Sequence, residues 1–354
     1  MTFVIGAGRD DCCPSGLLGT YRALDGSHGA DLRLDFDGPH AMLVVGKRGY
    51  GKSYTLGVLA EELARTRGVA PVVVDPMGVF ETLGATADGE PVPATVITEP
   101  ALTPDALDPR SWCSLVGLSP ESDAGTLVWR AAQESETLTG MGDHIDAADA
   151  SRSARRAAGN HVRLAESWGV FDRHGVDAAS LGDGAVTVLD VSGLDAAPAG
   201  AVCRGAAEAL YRARVTDIVD RLPWLLLDEA HVFFGGVAAG ALRRLLTRGR
   251  APGVSLVAAT QRPGDLPEVA LSQSDVLAAH RLTAGSDLDA LRAIQPTYFD
   301  GSLEARLPTD TGEVLVVDDA TETVHAARIR ERDTPHAGES PSVTARRADG
   351  WRGD

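Results

Sequence analysis

Lysine is almost absent from this 354-residue sequence. Lys47 and Lys52 are the only two among 33 basic residues, which face 50 acids for a net charge of −17. A field of that sign repels phosphate, so a nucleic-acid partner would have to meet a local basic strip. Acid excess with so little lysine fits a protein kept soluble in a very salty, archaeal type of cytoplasm; a GC-rich genome is the plainer alternative. Cysteine is also scarce. Cys12, Cys13, Cys113 and Cys203 show no C-x-x-C spacing and no paired histidines nearby. That excludes a zinc-finger pattern and a disulfide framework; the adjacent Cys12 and Cys13 offer a metal or redox pair, but buried or incidental thiols are the plainer reading. No apolar run nears the roughly 20 residues of a membrane span, and no basic-then-apolar leader opens the chain. A cytoplasmic location is expected.

What is present is a hydrophobic share of 44%, enough for one large core. Continuous apolar runs at 41–45, 71–75, 185–190, 225–227 and 254–260 have the form of strands buried on both faces. Helical periodicity lies between them, at 53–66, 199–220 and 238–247. Alternating strands and helices of this kind predict an α/β fold, a doubly wound sheet with helices on both faces. Residues 1–38 read as a short β-rich lead-in, 39–110 and 183–331 as the two parts of the core, and 111–182 as a helical insertion. Two late runs, 313–317 and 323–329, predict an antiparallel hairpin at the sheet edge. From 332 to 354 the composition turns to Pro, Gly, Ser, Arg and Asp, which predicts a disordered tail.

The strongest motif is GKRGYGKS at residues 46–53. It matches G-x-x-x-x-G-K-[ST] at every fixed position, where roughly 0.003 chance matches are expected for this composition. Gly46, Gly49 and Gly51 let the backbone wrap closely enough for the N–H groups of Lys47, Arg48, Tyr50 and their neighbours to cradle phosphate oxygens. The helix that starts here adds partial positive charge at its N-terminus and carries Ser53 and Tyr54. Lys52 is the side chain expected to reach the β- and γ-phosphates of ATP, and the Ser53 hydroxyl is expected to hold Mg²⁺. Lys47 is given no catalytic role.

A second strand ends in Asp228-Glu229-Ala230-His231. After a phosphate loop, such a pair reads as Asp228 for Mg²⁺ and Glu229 to polarise the attacking water; alone, it would read as a helix cap. Gln261, at the end of the next strand, is a candidate sensor of the γ-phosphate.

Taken in order, these segments resemble the HerA/FtsK superfamily of P-loop ATPases, most closely its HerA-like branch. The resemblance runs through the phosphate loop, Asp75-Pro76-Met77-Gly78, the strand 186–194, Asp228-Glu229-Ala230-His231 and Gly249-Arg250-Ala251-Pro252-Gly253. It continues through Thr260-Gln261-Arg262-Pro263, Arg328-Ile329-Arg330 and Thr334-Pro335-His336. It implies a RecA-like sheet and a hexameric ring that hydrolyses ATP with Mg²⁺ at subunit interfaces and translocates double-stranded DNA, in a helicase, packaging or conjugation setting. A partner nuclease or a packaging or conjugation component would go with it. The resemblance also implies an arginine supplied by the neighbouring subunit, for which Arg250 and then Arg248 are the candidates. Arg152, Arg155, Arg156 and Arg163 recur on the helical insertion at spacings that can share one helix face, and are candidates for DNA phosphates; a solvated face is their plainer reading. Two other functions stay open: a ring ATPase that acts on a protein substrate, and a slow nucleotide-dependent switch.

Overall fold

The computed structural model describes residues 3–6, 14–23, 27–85, 92–298 and 301–336. In chain order the lead-in supplies β1 (Phe3–Ile5), β2 (Ser15–Arg22) and β3 (His28–Asp35). The core then opens with β4 (Ala41–Val45), α1 (Lys52–Arg65), β5 (Val69–Asp75) and β6 (Ala94–Ile97). Five helices follow: α2 (Pro109–Leu115), α3 (Asp123–Glu134), α4 (Leu138–Ala147), α5 (Arg152–Ser167) and α6 (Ala178–Leu181). The chain returns through β7 (Val186–Asp190), α7 (Ala196–Val215), β8 (Leu222–Leu227), α8 (His231–Phe234), α9 (Ala239–Arg248) and β9 (Ser255–Thr260). It closes with α10 (Glu268–Ser272), β10 (Val276–Ala279), α11 (Gly285–Ala293), α12 (Leu303–Arg306), β11 (Glu313–Asp318) and β12 (Thr323–Ile329).

The strands form one sheet in the order β1-β3-β2-β12-β11-β10-β4-β9-β8-β5-β7-β6. From β10 to β6 every pairing is parallel, which is what strand–helix–strand crossovers produce. Side chains alternate between two apolar layers with the period of a strand. Leu43, Val45, Val72, Val74, Leu225 and Leu227 face α7, α9 and the helices of the insertion. Met42, Val44, Val73, Trp224 and Leu226 face α1 and the lead-in. Helices cover both faces, and both layers are apolar, so the central strands carry no polar side of their own.

Side chains explain how the insertion is punctuated. Asp108, Ser122, Thr137, Ser151 and Asp177 each accept a backbone N–H at the start of α2, α3, α4, α5 and α6, the standard way to satisfy a helix's first donors. The insertion is also tied to the core by a buried pair on α7. Arg204 bonds Glu208 at 3.0 Å and the Val237 carbonyl at 2.8 Å, and Glu208 accepts from Ser111 on α2 at 2.6 Å.

Three expectations are corrected here. The β11–β12 hairpin is not at the sheet edge: β12 pairs with β2 through Ala327, Arg328 and Ile329, so the lead-in extends the sheet past it. β6 was not expected, because its four residues are only partly buried and sit in a Pro- and Gly-rich stretch. The disordered tail does not begin at 332. Thr334 is buried and Arg332 packs on α1, because a buried carboxylate on that helix, Glu61, binds both. Residues 337–354 lie outside the described residues, as do Cys12 and Cys13. Cys113 and Cys203 are buried free thiols, and burial pushes both up, away from the reactive thiolate.

Candidate functional site

Parallel strands bring their carboxyl ends to one edge of the sheet, and the loops there share backbone bonds. Gly46 N donates to the Thr260 carbonyl at 3.3 Å, Lys47 N to that of Arg281 at 2.7 Å, and Asp228 N to that of Val74 at 3.3 Å. These bonds gather the ends of β4, β9, β10, β8 and β5 around residues 46–53.

Unlike the helices of the insertion, α1 starts on a glycine. Gly51 has φ 112 and supplies no side-chain cap, so the first N–H groups of α1 are left for a ligand. Gly46 is required for a different reason. A Cβ there would come within 2.6 Å of the His280 Cβ, so the loop can lie this close to β10 only without one.

Lys52 is buried at 5% exposure and its Nζ reaches the Lys47 carbonyl at 3.4 Å. Burial lowers its pKa, while Glu229 and Asp228 oppose the shift. The Ser53 hydroxyl donates to Asp228 Oδ2 at 2.7 Å. Asp228 is itself buried, which pushes its carboxyl up to about 6 despite that hydrogen bond. An alcohol oxygen and a carboxylate held together in this way are the hard oxygen donors that Mg²⁺ prefers, and a cation there would offset the cost of ionising Asp228. The residues therefore fit the ion.

Glu229 lies between two clefts. One, of 540 Å³, is lined by Arg48, Gly49, Gly51, Lys52, Ser53 and Tyr54, with the end of β12 on its far side. The other, of 370 Å³, holds Arg48, His231 and Gln261. Glu229 has φ 44, a left-handed backbone uncommon outside glycine. Its Oε2 is buried with no hydrogen-bond partner among the described residues. His231 Nδ1 is 3.4 Å from that oxygen but makes its hydrogen bond with Thr260 Oγ1 at 3.1 Å. An unsatisfied carboxylate oxygen beside a phosphate loop suits a group that must accept a proton from water.

The other expected residues are more dispersed. Lys47 and Arg48 are exposed, and Tyr50 stacks near Lys47 at 5.9 Å and Arg281 at 5.5 Å. Arg248 and Arg250 are exposed at the end of α9 and the turn before β9, the edge opposite the phosphate loop, so neither reaches the cleft of its own chain. On α5, Arg152, Arg156 and Arg163 fall on one exposed face. Arg155 turns aside and donates to the Asp146 and Ala148 carbonyls, so the four arginines do not act as one group. Arg163 bonds Asn160 at 2.7 Å.

Sequence reasoning missed His280. It is fully buried, its Nδ1 donates to the Glu313 carbonyl at 2.8 Å, and its Nε2 therefore accepts from Thr55 Oγ1 at 3.0 Å. Burial lowers its pKa to about 4, so a neutral ring braces the loop. No local motif marks it. Also missed were Glu61, Arg330 and Arg332, whose pairing spans most of the chain.

Residues 27–198 match the family described as Helicase HerA, central domain. The solved structure of VirB4 of Thermoanaerobacter pseudethanolicus superposes with a TM-score of 0.66 at 17% identity, covering 92% of this chain and 98% of that one. Residues 27–198 are thus similar to the HerA central domain, and the fold of the chain is that of VirB4. Plasmid coupling protein TrwB, solved with ADP and Mg²⁺, has the same fold, with a TM-score of 0.58, 16% identity and coverage of 95% and 98%. Comparison with curated protein sequences finds no match. Among the described residues, no helix is long and apolar enough to cross a membrane.

Proposed function

We propose that this chain binds ATP with Mg²⁺ in the cleft at residues 46–53, hydrolyses it, and uses the energy as a ring motor that translocates double-stranded DNA. The observation that carries the ATPase reading is the 2.7 Å bond between Ser53 and Asp228, beside buried Lys52 and a Glu229 whose Oε2 accepts no hydrogen bond among the described residues. The N–H groups at the start of α1 bind phosphate oxygens, and Lys52 balances charge on the β- and γ-phosphates. Ser53 and Asp228 would hold Mg²⁺, which would neutralise charge developing on the phosphates. Glu229 accepts a proton from water as its oxygen bonds to the γ-phosphorus. The bond to the bridging oxygen breaks, and ADP leaves with the electron pair. Gln261, in the adjoining cleft, orients that water.

Assembly into a hexamer would let Arg250 or Arg248 enter a neighbour's cleft, since both lie far from their own. The exposed face of Arg152, Arg156 and Arg163 supports contact with DNA phosphates, as among the described residues none of the three is in an ion pair. Such contacts would be independent of base sequence. The test is ATP turnover with and without linear duplex DNA, beside Glu229→Gln. Several-fold stimulation that the variant abolishes supports the motor. Turnover that needs Glu229 and ignores DNA would sink the DNA role and favour a protein substrate.

A further inference from the structure

The far side of the 540 Å³ cleft carries, beside Arg328, Arg330 and Glu331, a set of aromatic and apolar groups that do not suit phosphate. Tyr54, Met77, Val79, Ile329 and His336 meet there, and Met77 is 55% exposed. Resting on the phosphate-loop reading above, we propose that Tyr54 and the segment 330–336 form the nucleobase subsite of this cleft, with the His336 ring packing against the base of a nucleoside triphosphate.

Three observations support this. The first is chemistry: with phosphates at residues 46–53, the base and ribose must occupy the remainder of the same cleft, where Tyr54, Met77, Val79, Ile329 and His336 supply aromatic and apolar surface beside the polar Thr311, Arg328, Arg330 and Glu331. Such surface stacks on a π-face without reading its edges. The second is that the ring positions are fixed. Tyr54 and His336 lie edge to face at 5.4 Å, the Arg332 N–H donates to the Tyr54 hydroxyl at 2.7 Å, and Arg332 Nη1 donates to His336 Nδ1 at 3.2 Å. The third is that the segment is anchored on both flanks. Glu61, wholly buried on α1, accepts from Thr334 N at 2.9 Å and Thr334 Oγ1 at 2.7 Å and pairs with Arg330 at 2.8 Å. On the other flank Thr82 Oγ1 donates to the Pro335 carbonyl at 2.6 Å. Arg332 presses so close to α1 that a Cβ on Gly57 would lie 2.7 Å from its Cζ. A segment tied down before the ligand arrives loses little freedom on binding. Arg330, already paired with Glu61 and Glu62, holds the segment and is not needed for phosphate.

The test compares a non-hydrolysable ATP analogue with inorganic tripolyphosphate, both with Mg²⁺, by calorimetry on the full chain. His336→Ala should weaken the analogue on the order of tenfold and leave tripolyphosphate within about twofold, and His336→Phe should restore the analogue. Equal effects on both ligands, or none on either, would overturn the subsite. A wild-type chain that binds the analogue no more tightly than tripolyphosphate would overturn it too, while leaving the phosphate loop intact. A wild-type chain that binds neither removes both readings.

Discussion

Ser53 Oγ and Asp228 Oδ2 lie 2.7 Å apart although 175 residues separate them in the chain. The bond joins the first turn of α1 to the end of β8, so the phosphate loop and the acidic pair share one hydrogen bond before any ligand is present. Asp228→Asn keeps the shape and removes the charge. We expect it to cut ATP turnover by roughly 100-fold or more and to raise the Mg²⁺ concentration needed for half-maximal rate. An unchanged Mg²⁺ requirement would remove Asp228 from the metal site.

Glu229 combines a buried oxygen that accepts no hydrogen bond among the described residues with a left-handed backbone. Strain of that kind costs about 1 kcal/mol or more and persists where function holds it. Glu229→Gly should abolish turnover yet raise the unfolding free energy by about 1 kcal/mol, whereas Glu229→Gln should abolish turnover without that gain. Denaturant melts of the two variants check this. A less stable glycine variant would mean that the backbone is not strained.

His280 is neutral in the fold, with its pKa lowered to about 4 from 6.5 by burial. Between those values the unfolded chain binds the extra proton. Its contribution to stability is therefore complete above about pH 6.5 and falls as pH drops towards about 4, by on the order of 3 kcal/mol. Asp228, raised to about 6, acts in the opposite sense and favours the fold as pH falls from there. Comparing thermal midpoints of the wild type and His280→Gln across this range separates the two. The variant should show a shallower acid loss, and parallel curves would rule out His280 as the cause.

Glu61 is buried against Arg330 and Arg332. Removing one member of such a cluster leaves charge buried without compensation, at a cost of about 3–5 kcal/mol. Glu61→Ala should lose stability on that scale in urea, and also weaken nucleotide binding through the freed segment. A loss within about 0.5 kcal/mol would mean that the pairing is not maintained in solution.

Arg250 stands at the sheet edge opposite its own cleft. If it acts on a neighbour's nucleotide, Arg250→Ala should bind ATP normally and turn over at least 100-fold more slowly. Mixing it with Lys52→Ala subunits should restore part of the activity, because some interfaces would then combine an intact loop with an intact arginine. Mixtures no more active than their components would exclude the role.

Much of the fold was legible because its signals are local. The runs 41–45 and 225–227 are apolar throughout, since both faces of those strands are covered, and the glycines of residues 46–53 are conspicuous between a strand and a helix. Parallel topology then sends every strand's end to one edge, which is why residues as far apart as Gly46, Asp228 and Gln261 could be assigned to one region without coordinates. The hairpin was misplaced because pairing with β2 leaves no mark in β12 itself. The tail was read as starting too early because composition records polarity and not the partner that satisfies it.

From the sequence alone follow the phosphate loop, the acidic strand end and the two-sided sheet, because each depends on residue type and spacing within one short segment. Tertiary structure alone decided that His280 braces the loop, that Glu61 anchors residues 330–336, and that Arg155 leaves the face shared by its neighbours. Each of those depends on which distant group meets a buried charge or donor, and a buried polar group takes whatever partner the fold delivers to it.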